Sequence, residues 1–400
     1  MPELPSWLLV IPVMGFLILI HEMGHFFTAK LLGISVIEFG FGFPPRIFGI
    51  RYRDTIYSIN WLLPLGGFVR FVGSDDPDNP NNFDRQKVYK RILILMAGSL
   101  TNLMAALLII TFLLMQPHDV LLGGDIIISS VAPGSPAEKS GLNNGDYILS
   151  IDANPINKID DLVSTIRNKL GQPVELNIRR GTSRMNIGYS PETALFETIQ
   201  VVPRKKPPKL LVVQQVTNPD SEVSLSDAQL YDSSLKIGDT MKQGAIGITI
   251  GLANAKFEEK SDPIWLALPN SLKTISGFLS LQWNGITQGI STRSNPGFTG
   301  PIGIAQVTGE VVERFGISSI FQLMAFLSLI LGIVNLLPIP ALDGGRLLFV
   351  LIEWVGRGRR ISAQREGLIH FMGFVVLIAF IIVISYSDIL RILDGESILR

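Results

Sequence analysis

Residues 8–27 read LLVIPVMGFLILIHEMGHFF, and this stretch decides how the chain folds. No charge occurs from Leu8 to Ile20, and the apolar run resumes directly after residue 25, as expected for a helix that crosses a membrane. His21 and His25 are four residues apart, so they share one helix face and can bind one metal ion together. Glu22 can reach a water molecule on that ion.

This short pattern is more informative inside a membrane helix than in a soluble one. In a soluble helix, His-Glu-x-x-His also arises by chance as a solvated polar face. Inside a spanning helix, a glutamate and two histidines are costly, and such residues face the interior of a helix bundle and serve a function. The sequence therefore predicts a metal-binding active site within the first membrane helix.

The composition is that of a membrane protein. The chain has 400 residues, of which 47% are hydrophobic and 17% charged. Four stretches are long and apolar enough to cross a bilayer: Trp7–Leu32, Ile92–Met115, Ile317–Leu337 and Leu368–Ile384. No Lys or Arg precedes the first stretch and no small-residue cleavage site follows it, so we expect it to remain as a span.

Two kinds of site are excluded by composition. The chain has no cysteine, so a disulfide framework or thiolate metal site is impossible and any metal must bind histidine and carboxylate. The formal net charge is zero, and the one compact basic run, Arg204-Lys205-Lys206, is short and isolated. We therefore expect no nucleic-acid partner.

Lysine and arginine beside the spans predict the orientation, because cytoplasmic loops near membrane segments are enriched in both. The N-terminal tail has neither, whereas the loops after the first and third spans hold Lys30, Arg46, Arg51, Arg53, Arg70, Arg85, Lys87, Lys90 and Arg91, then Arg346, Arg357, Arg359, Arg360 and Arg365. Both loops should be cytoplasmic. Both termini and residues 116–318 then lie outside, and the metal site lies near the cytoplasmic side.

A catalytic zinc site needs a third protein ligand and an open position for water. His118 lies at the outer end of the second span, on the wrong side, and His370 at the start of the fourth. Asp343 stands in NLLPIPALDGGR, residues 335–346, where two prolines must break the helix after the third span. The break and the glycines let a short carboxylate approach a metal from a neighbouring helix. Asp343 is therefore the better candidate.

The segment after the second span is predicted to form a compact α/β module. Strand patterns occur at 125–131, 147–151 and 174–178, with helices at 137–140 and 159–169. The stretch APGSPAEKSGLNNGDYILSIDANPI and the helix after it resemble a PDZ domain of bacterial proteases, over residues 120–202. We expect this module to filter substrates by size or identity, with a peptide or protein ligand as a further partner.

The chain is accordingly divided into four parts. Residues 1–118 hold the first two spans, and residues 119–255 the PDZ-like domain with an irregular insertion at 203–240. Residues 256–316 form an extracytoplasmic amphipathic segment, and residues 317–400 hold the last two spans. The predicted fold class is a polytopic α-helical membrane protein with a membrane-associated β-hairpin and an inserted extracytoplasmic PDZ-like α/β domain.

Two motifs together resemble the site-2 protease family of intramembrane zinc metalloproteases. They are HEMGH in the first span and NLLPIPALDGGR after the third, with the PDZ-like insertion between the second and third spans. Further matches are Gly66-Gly67-Phe68-Val69, Ala97-Gly98-Ser99-Leu100-Thr101-Asn102 and Gly300-Pro301-Ile302. They place the chain in the bacterial branch similar to the regulator of sigma-E protease. Ser99 departs from the pattern, since many relatives have proline there.

The resemblance implies cleavage of single-span membrane proteins, such as anti-sigma factors or leftover signal peptides, in the lipid of the bacterial inner membrane. Zn²⁺ would be the cofactor, held by His21, His25 and Asp343, with Glu22 as the base that accepts a proton from water and passes it to the leaving amine. The matching family asparagine is held to bind the substrate backbone, which would give that role to Asn335. The alternative for Asn335 is a helix-end cap.

The cytoplasmic loop is unusually apolar. Alternation over 57–63 and a second run at 68–72, opened by two glycines, predict a β-hairpin over residues 56–72. Its backbone groups cannot stay unpaired near hydrocarbon, so we expect Gly66, Gly67, Phe68 and Val69 to hold an extended substrate by strand addition. The alternative is that the hairpin only anchors the loop at the membrane surface.

Three other functions account for part of the pattern. A catalytically inactive membrane PDZ scaffold has no need of an intact Glu22. A metal transporter needs polar residues along several spans, whereas here they cluster at one depth. A tethered soluble metalloprotease is disfavoured because the metal-binding pattern lies inside a span.

Overall fold

A computed structural model describes residues 5–72, 81–181, 196–218, 221–231, 235–292, 299–358, 360–395 and 397. The chain divides into two compact units. The first, here called the helical unit, comprises Met1–Gln116, Asp262–Gly289 and Asn295–Arg400. The second, here called the sheet unit, comprises Pro117–Ser261 and Ile290–Ser294.

The described helices are α1 Val10–Leu31, α2 Val88–Met115, α3 Pro136–Lys139, α4 Ile159–Asn168, α5 Leu225–Tyr231, α6 Ile264–Thr292, α7 Pro301–Phe315, α8 Ser319–Leu336, α9 Asp343–Val355 and α10 Ala363–Leu393. The described strands are β1 Val36–Tyr52, β2 Thr55–Phe71, β3 His118–Val131, β4 Tyr147–Ile151, β5 Asn154–Pro155, β6 Val174–Arg179, β7 Phe196–Val201, β8 Lys209–Val213, β9 Glu222–Ser224, β10 Thr240–Lys242 and β11 Ile248–Lys260.

Four helical stretches are long and apolar enough to cross a membrane. They are Ser6–Leu31, Val88–Met115, Ser319–Leu336 and Gln364–Leu393, which agree with the four predicted spans. The last is longer than the sequence prediction at both ends. The first runs without interruption through residues 21–25, so its polar residues project from a regular helix.

Small residues let the spanning helices approach closely at the level of the polar pattern. A Cβ added to Gly24 of α1 would lie 2.6 Å from the carbonyl oxygen of Ala97 on α2. A Cβ added to Gly332 of α8 would lie 2.9 Å from the carbonyl oxygen of Ser99. Ser99 lies inside the unbroken helix α2, so serine in place of proline introduces no turn there. Glycine here is a packing requirement, as is common between membrane helices.

The predicted helix break after the third span is present. Helix α8 ends at Leu336 and α9 begins at Asp343, with two prolines between them. A Cβ added to Gly344 or Gly345 would fall within 2.5 Å of a backbone carbonyl oxygen of the preceding turn. The two glycines are therefore needed for the tight entry into α9. Asn335 and Asp343 consequently lie on different helices.

The apolar loop between the first two spans folds differently from the prediction. Residues 38–41 of β1 pair with residues 67–70 on one side and with residues 56–59 on the other. Both predicted strands of the 56–72 loop form, but residues 36–43 lie between them, so the simple hairpin was wrong. The sheet packs on α1, where the rings of Phe26 and Phe39 stand 5.1 Å apart. Phe39 belongs to β1, so this contact favours β1 as the central strand. The contact joins residues far apart in the sequence, so no local pattern indicates it.

The sheet unit contains a six-stranded sheet in the order β11-β3-β4-β6-β7 with β5 beside β4. The predicted strands and both predicted helices occur, and Ile126, Ile148, Leu162 and Leu176 form a core that is at most 1% exposed. The domain boundary predicted at residue 255 falls inside β11, which pairs with β3 as far as Lys260. The sheet is incomplete without this outermost strand.

The expectation of irregular chain over 203–240 was wrong. Strands β10, β8 and β9 form a small sheet covered by α5. Leu210, Val212, Val223 and Met241 are buried together beneath it. These strands are only three to five residues long and are separated by polar loops, so overall composition concealed their alternation.

Residues 256–316 do not form a separate amphipathic part. After β11 ends, α6 as far as Gly289 and the whole of α7 belong to the helical unit. The hydroxyl of Thr111 on α2 donates to Ser271 on α6, and Phe278 of α6 stacks on Phe326 of α8 with ring centroids 4.4 Å apart. The buried carboxylate of Asp388 on α10 accepts the N–H groups of Gly300 and Gly303 at 2.9 Å, which fixes the start of α7.

Candidate metal centre and active site

Three side chains from two helices that are far apart in the sequence, α1 and α9, converge within the helical unit. The Nε2 atom of His21 and the Oδ2 atom of Asp343 are 2.8 Å apart, and the Nε2 atom of His25 lies 3.1 Å from the same oxygen. The two Nε2 atoms are 3.2 Å apart. Donor atoms bound to one zinc ion at about 2.1 Å stand roughly 3.4 Å apart in a tetrahedral arrangement. The three ligand atoms therefore fit around one zinc ion.

The second nitrogen of each imidazole has a partner that fixes the ring. The Nδ1–H group of His25 donates to the carbonyl oxygen of Ile94 at 2.7 Å, which leaves Nε2 free for a metal. The Nδ1 atom of His21 faces the side-chain amide of Asn102 at 3.3 Å. The Oδ1 atom of that amide is buried without a partner in the described chain. A half-turn of the amide presents this oxygen to Nδ1–H of His21 when Nε2 binds metal.

Gly98 of α2 provides the space beside the ligand atoms. A Cβ at this position would lie 2.3 Å from the Nε2 atom of His25 and 2.8 Å from that of His21. Only glycine leaves room for an ion and the two rings together. This cradle is a second feature of the chain that fits a bound metal.

The surroundings of Asp343 favour its charged form. Burial raises the pKa of its carboxyl, but the adjacent His21 and His25 side chains lower it by more, so the pKa lies below its ordinary value. Its position as the first residue of α9 also places the negative charge at a helix N-terminus, where it is stabilised. A charged carboxylate is the form that coordinates zinc.

Glu22 lies beside the three ligands and is free to act as a base. Its carboxylate accepts no hydrogen bond from the described residues. A Cβ added to Gly67 would lie 2.8 Å from the Cγ atom of Glu22, so the strand segment that begins at Gly67 runs directly past this side chain. The structure thus places the predicted base next to the strand that was predicted to hold the substrate.

The two other candidate histidines are not ligands in this arrangement. His118 is the first residue of β3 in the sheet unit. His370 on α10 accepts the N–H of Ala341 at 2.9 Å through its Nδ1 atom. Ala341 has φ 82°, and a Cβ added to Gly373 would lie 2.4 Å from Pro340. Helix α10 therefore holds the turn that delivers Asp343 without supplying a ligand.

The remaining predicted substrate-binding residues lie as follows. Asn335 is half-buried in the last turn of α8, and its side chain makes no hydrogen bond to the described residues, so the capping role is not seen. Gly66 lies against the ring of Phe43, and the ring of Phe68 fills the space over Gly40. Val69 packs against the cluster that contains Phe26 and Ile94.

Sequence reasoning assigned no role to three residues around the ligands. In the sequence Gly98 and Asn102 stand out only as members of a family motif, and the carbonyl of Ile94 carries no sequence signal at all. The four-residue interval between Gly98 and Asn102 places both on one face of α2, which is the one local clue that they act together.

The comparisons with known proteins agree with this site. Residues 9–380 match peptidase family M50. The match covers most of the chain, so the chain belongs to this family, the site-2 proteases, and is a membrane-embedded zinc metalloprotease. The family resemblance, the metalloprotease activity and the zinc cofactor predicted from the sequence are confirmed.

Individual relatives are similar over nearly their whole length. A protein of Clostridium perfringens named as a zinc metalloprotease is 32% identical, over 94% of this chain and 95% of its own. The zinc metalloprotease RasP of Geobacillus kaustophilus is 27% identical, over 96% and 98%. The regulator of sigma-W protease RasP of Bacillus subtilis is 26% identical, over 95% and 97%.

Removal of the third ligand distinguishes Asp343 from His370. We expect purified Asp343→Ala to lose its zinc, because two imidazoles alone leave the ion with one protein ligand too few. His370→Ala should keep zinc with affinity weakened by about 10- to 100-fold at most, since it removes only support for the turn. Metal analysis of both variants checks this. Zinc retained in Asp343→Ala but lost in His370→Ala reverses the assignment.

A second test concerns the space at Gly98. Gly98→Ala should lose zinc although alanine favours a helix by about 1 kcal/mol, because the added methyl group displaces both imidazoles. The matched control is Gly277→Ala on α6, where an added Cβ meets nothing within 4 Å. Zinc content and thermal unfolding in detergent are the measurements. Equal zinc in the two variants would show that the cradle is not required.

Proposed function

We propose that this enzyme cleaves single-span membrane proteins within or beside the bilayer, using a zinc ion held by His21, His25 and Asp343. The main support for the proposal is that these three ligand atoms meet inside a bundle of membrane-spanning helices. His21 and Asp343 are 322 residues apart in the sequence. The ligands come from the first span and from the helix that follows the third, so the centre exists only when the bundle is assembled.

The catalytic steps follow from the groups at the centre. When bound, zinc lowers the pKa of a water molecule to about 7 and polarises the scissile carbonyl. Glu22 accepts the proton of that water at its free carboxylate and returns it to the leaving amine. Asn335, whose amide is uncommitted at the end of α8, hydrogen-bonds to the backbone of the substrate and orients it.

The edge of the loop sheet positions the peptide to be cut. Residues 67–70 pair with residues 38–41 on one side, and no described strand pairs with them on the other. The N–H of Val72 donates to the carbonyl oxygen of Ser35, just before β1, so it points toward β1. Because the direction of the N–H groups alternates along a strand, those of Val69 and Phe71 point to the open side. Peptide bonds of a helix are shielded by their own hydrogen bonds. A segment unwound onto this edge is held extended beside Glu22.

The wider setting is proposed on sequence grounds. The basic loops favour a bacterial inner membrane topology with both termini and the sheet unit outside. The strands and helices of the sheet unit support a PDZ-like module, completed by β11, that filters substrates by size or identity. The name of the Bacillus subtilis relative, regulator of sigma-W protease, favours a regulatory substrate such as an anti-sigma factor.

The base is tested by Glu22→Gln, which keeps shape and removes the carboxylate. We expect full zinc content and an unchanged unfolding temperature, with cleavage of a model single-span substrate reduced roughly 100- to 10,000-fold. Cleavage by purified protein in proteoliposomes, with wild type and zinc-free protein as references, is the measurement. Appreciable turnover by Glu22→Gln would overturn the mechanism.

The open strand edge is tested by proline. Val69→Pro and Phe71→Pro each remove an N–H that faces away from the sheet, so the fold and zinc content should stay near wild type. Loss of one hydrogen bond to the substrate should lower cleavage by about tenfold. Val69→Ala and Phe71→Ala control for the lost side chains. Full activity in both proline variants would leave surface anchoring as the role of the loop.

A further inference from the structure

The sheet unit contains a cleft that the proteolytic site does not use. Its volume is about 610 Å³, within the range of ligand sites. Its lining includes Pro133 and the first residue of α3, Pro136, together with Pro208 and Leu210 at the start of β8 in the small sheet. The segment read as irregular insertion thus supplies one side of this cleft.

The lining is basic and carries no acidic residue. Lys139, Arg204 and Lys206 line it together with the neutral polar side chains of Gln200 and Gln243. Neither lysine forms an ion pair with the described residues, and the carboxylate of the adjacent Glu138 accepts the N–H of Gly134 at the border of the cleft. Two members of the isolated basic run at residues 204–206 are therefore gathered with a third cation from another element.

Arg204 is held in place and only partly satisfied. Its Nη2 atom donates to Oε1 of Gln243 at 2.6 Å, and Gln243 in turn donates to the carbonyl of Pro133 at 2.9 Å. The Nε atom of Arg204 is buried and has no partner in the described chain. All its described hydrogen-bond partners are neutral, so this half-buried guanidinium has no anion beside it.

The strand beside the cleft favours an extended ligand. β7 is the outermost described strand of the six-stranded sheet, opposite β11. Its residue Gln200 and the following Val202 both line the cleft and are exposed. An unpaired strand edge that leads into a pocket of prolines and cations matches a peptide in β conformation whose alternate side chains are apolar and acidic.

We propose that this cleft binds an extended acidic peptide segment, with Arg204, Lys139 and Lys206 pairing with its carboxylates. The site is separate from the metal centre and its occupancy is measured without turnover. It would give the sheet unit a preference for acidic partners that is independent of the proteolytic chemistry.

The test uses the full-length zinc-loaded protein in detergent. The probe is a fluorescein-labelled hexapeptide of alternating Glu and Val with an amidated C-terminus, and its partner probe has Gln in place of Glu. Fluorescence anisotropy should show binding of the Glu peptide that weakens with salt and is at least tenfold tighter than that of the Gln peptide. Arg204→Gln and Lys139→Gln should each weaken it severalfold or more. Lys236→Gln, which removes one exposed charge from the same unit outside the cleft, should leave it unchanged.

Other outcomes overturn the proposal. Equal binding of the Glu and Gln peptides, or equal losses in Lys139→Gln and Lys236→Gln, would remove the acidic-peptide site. Arg204-dependent binding of phosphatidylglycerol vesicles or of inorganic phosphate, without binding of the Glu peptide, would assign the cleft to phosphate chemistry instead. Lys139→Gln keeps the test decisive if Arg204→Gln fails to fold, since the exposed Lys139 side chain makes no hydrogen bond or ion pair with the described residues.

Discussion

The structure of the helical unit depends on one constraint, the need to bury three metal-binding side chains together in apolar surroundings. Two imidazoles and a carboxylate inside a helix bundle are costly unless each polar atom has a partner. Here the three ligand atoms face one another, and the remaining imidazole nitrogens face Ile94 and Asn102. A zinc ion held by these three atoms would turn a costly cluster into a stable one, and the ion and the bundle would then stabilise each other.

Glycine is the means by which the helices meet at that depth. Gly24 and Gly332 allow α1 and α8 to approach α2, and Gly98 leaves space for the ion itself. Gly67 likewise lets its strand pass close to the side chain of Glu22. In a membrane no hydrophobic force drives helices together, so close backbone packing must supply the contact energy. The same small residues that pack the bundle also shape the catalytic centre.

The ligand from α9 depends on support from a part of the chain that never touches the ion. His370 and Gly373 of α10 hold the turn at 340–341, and the buried pair of Arg91 with Glu353, 2.6 Å apart, ties the far end of α9 to α2. A carboxylate has one short side chain with which to reach a metal, so its backbone must be fixed. The fourth span thus supports the backbone that carries Asp343 but supplies no ligand itself.

By itself the sequence determined the apolar spans and the family, and it predicted the four residues of the proposed catalytic centre, because each of these depends on a local signal. Long apolar runs mark helices, the i, i+4 spacing puts two histidines on one face, and paired prolines break a helix. The order of strands in the loop sheet, the small sheet near residue 210 and the last strand β11 were decided only by tertiary structure. Strand partners are chosen by burial against distant elements, such as Phe26 against Phe39, and a short strand leaves little pattern of its own. For the same reason the roles of Gly98 and Asn102, which exist only beside the assembled ligands, could not be read from the chain.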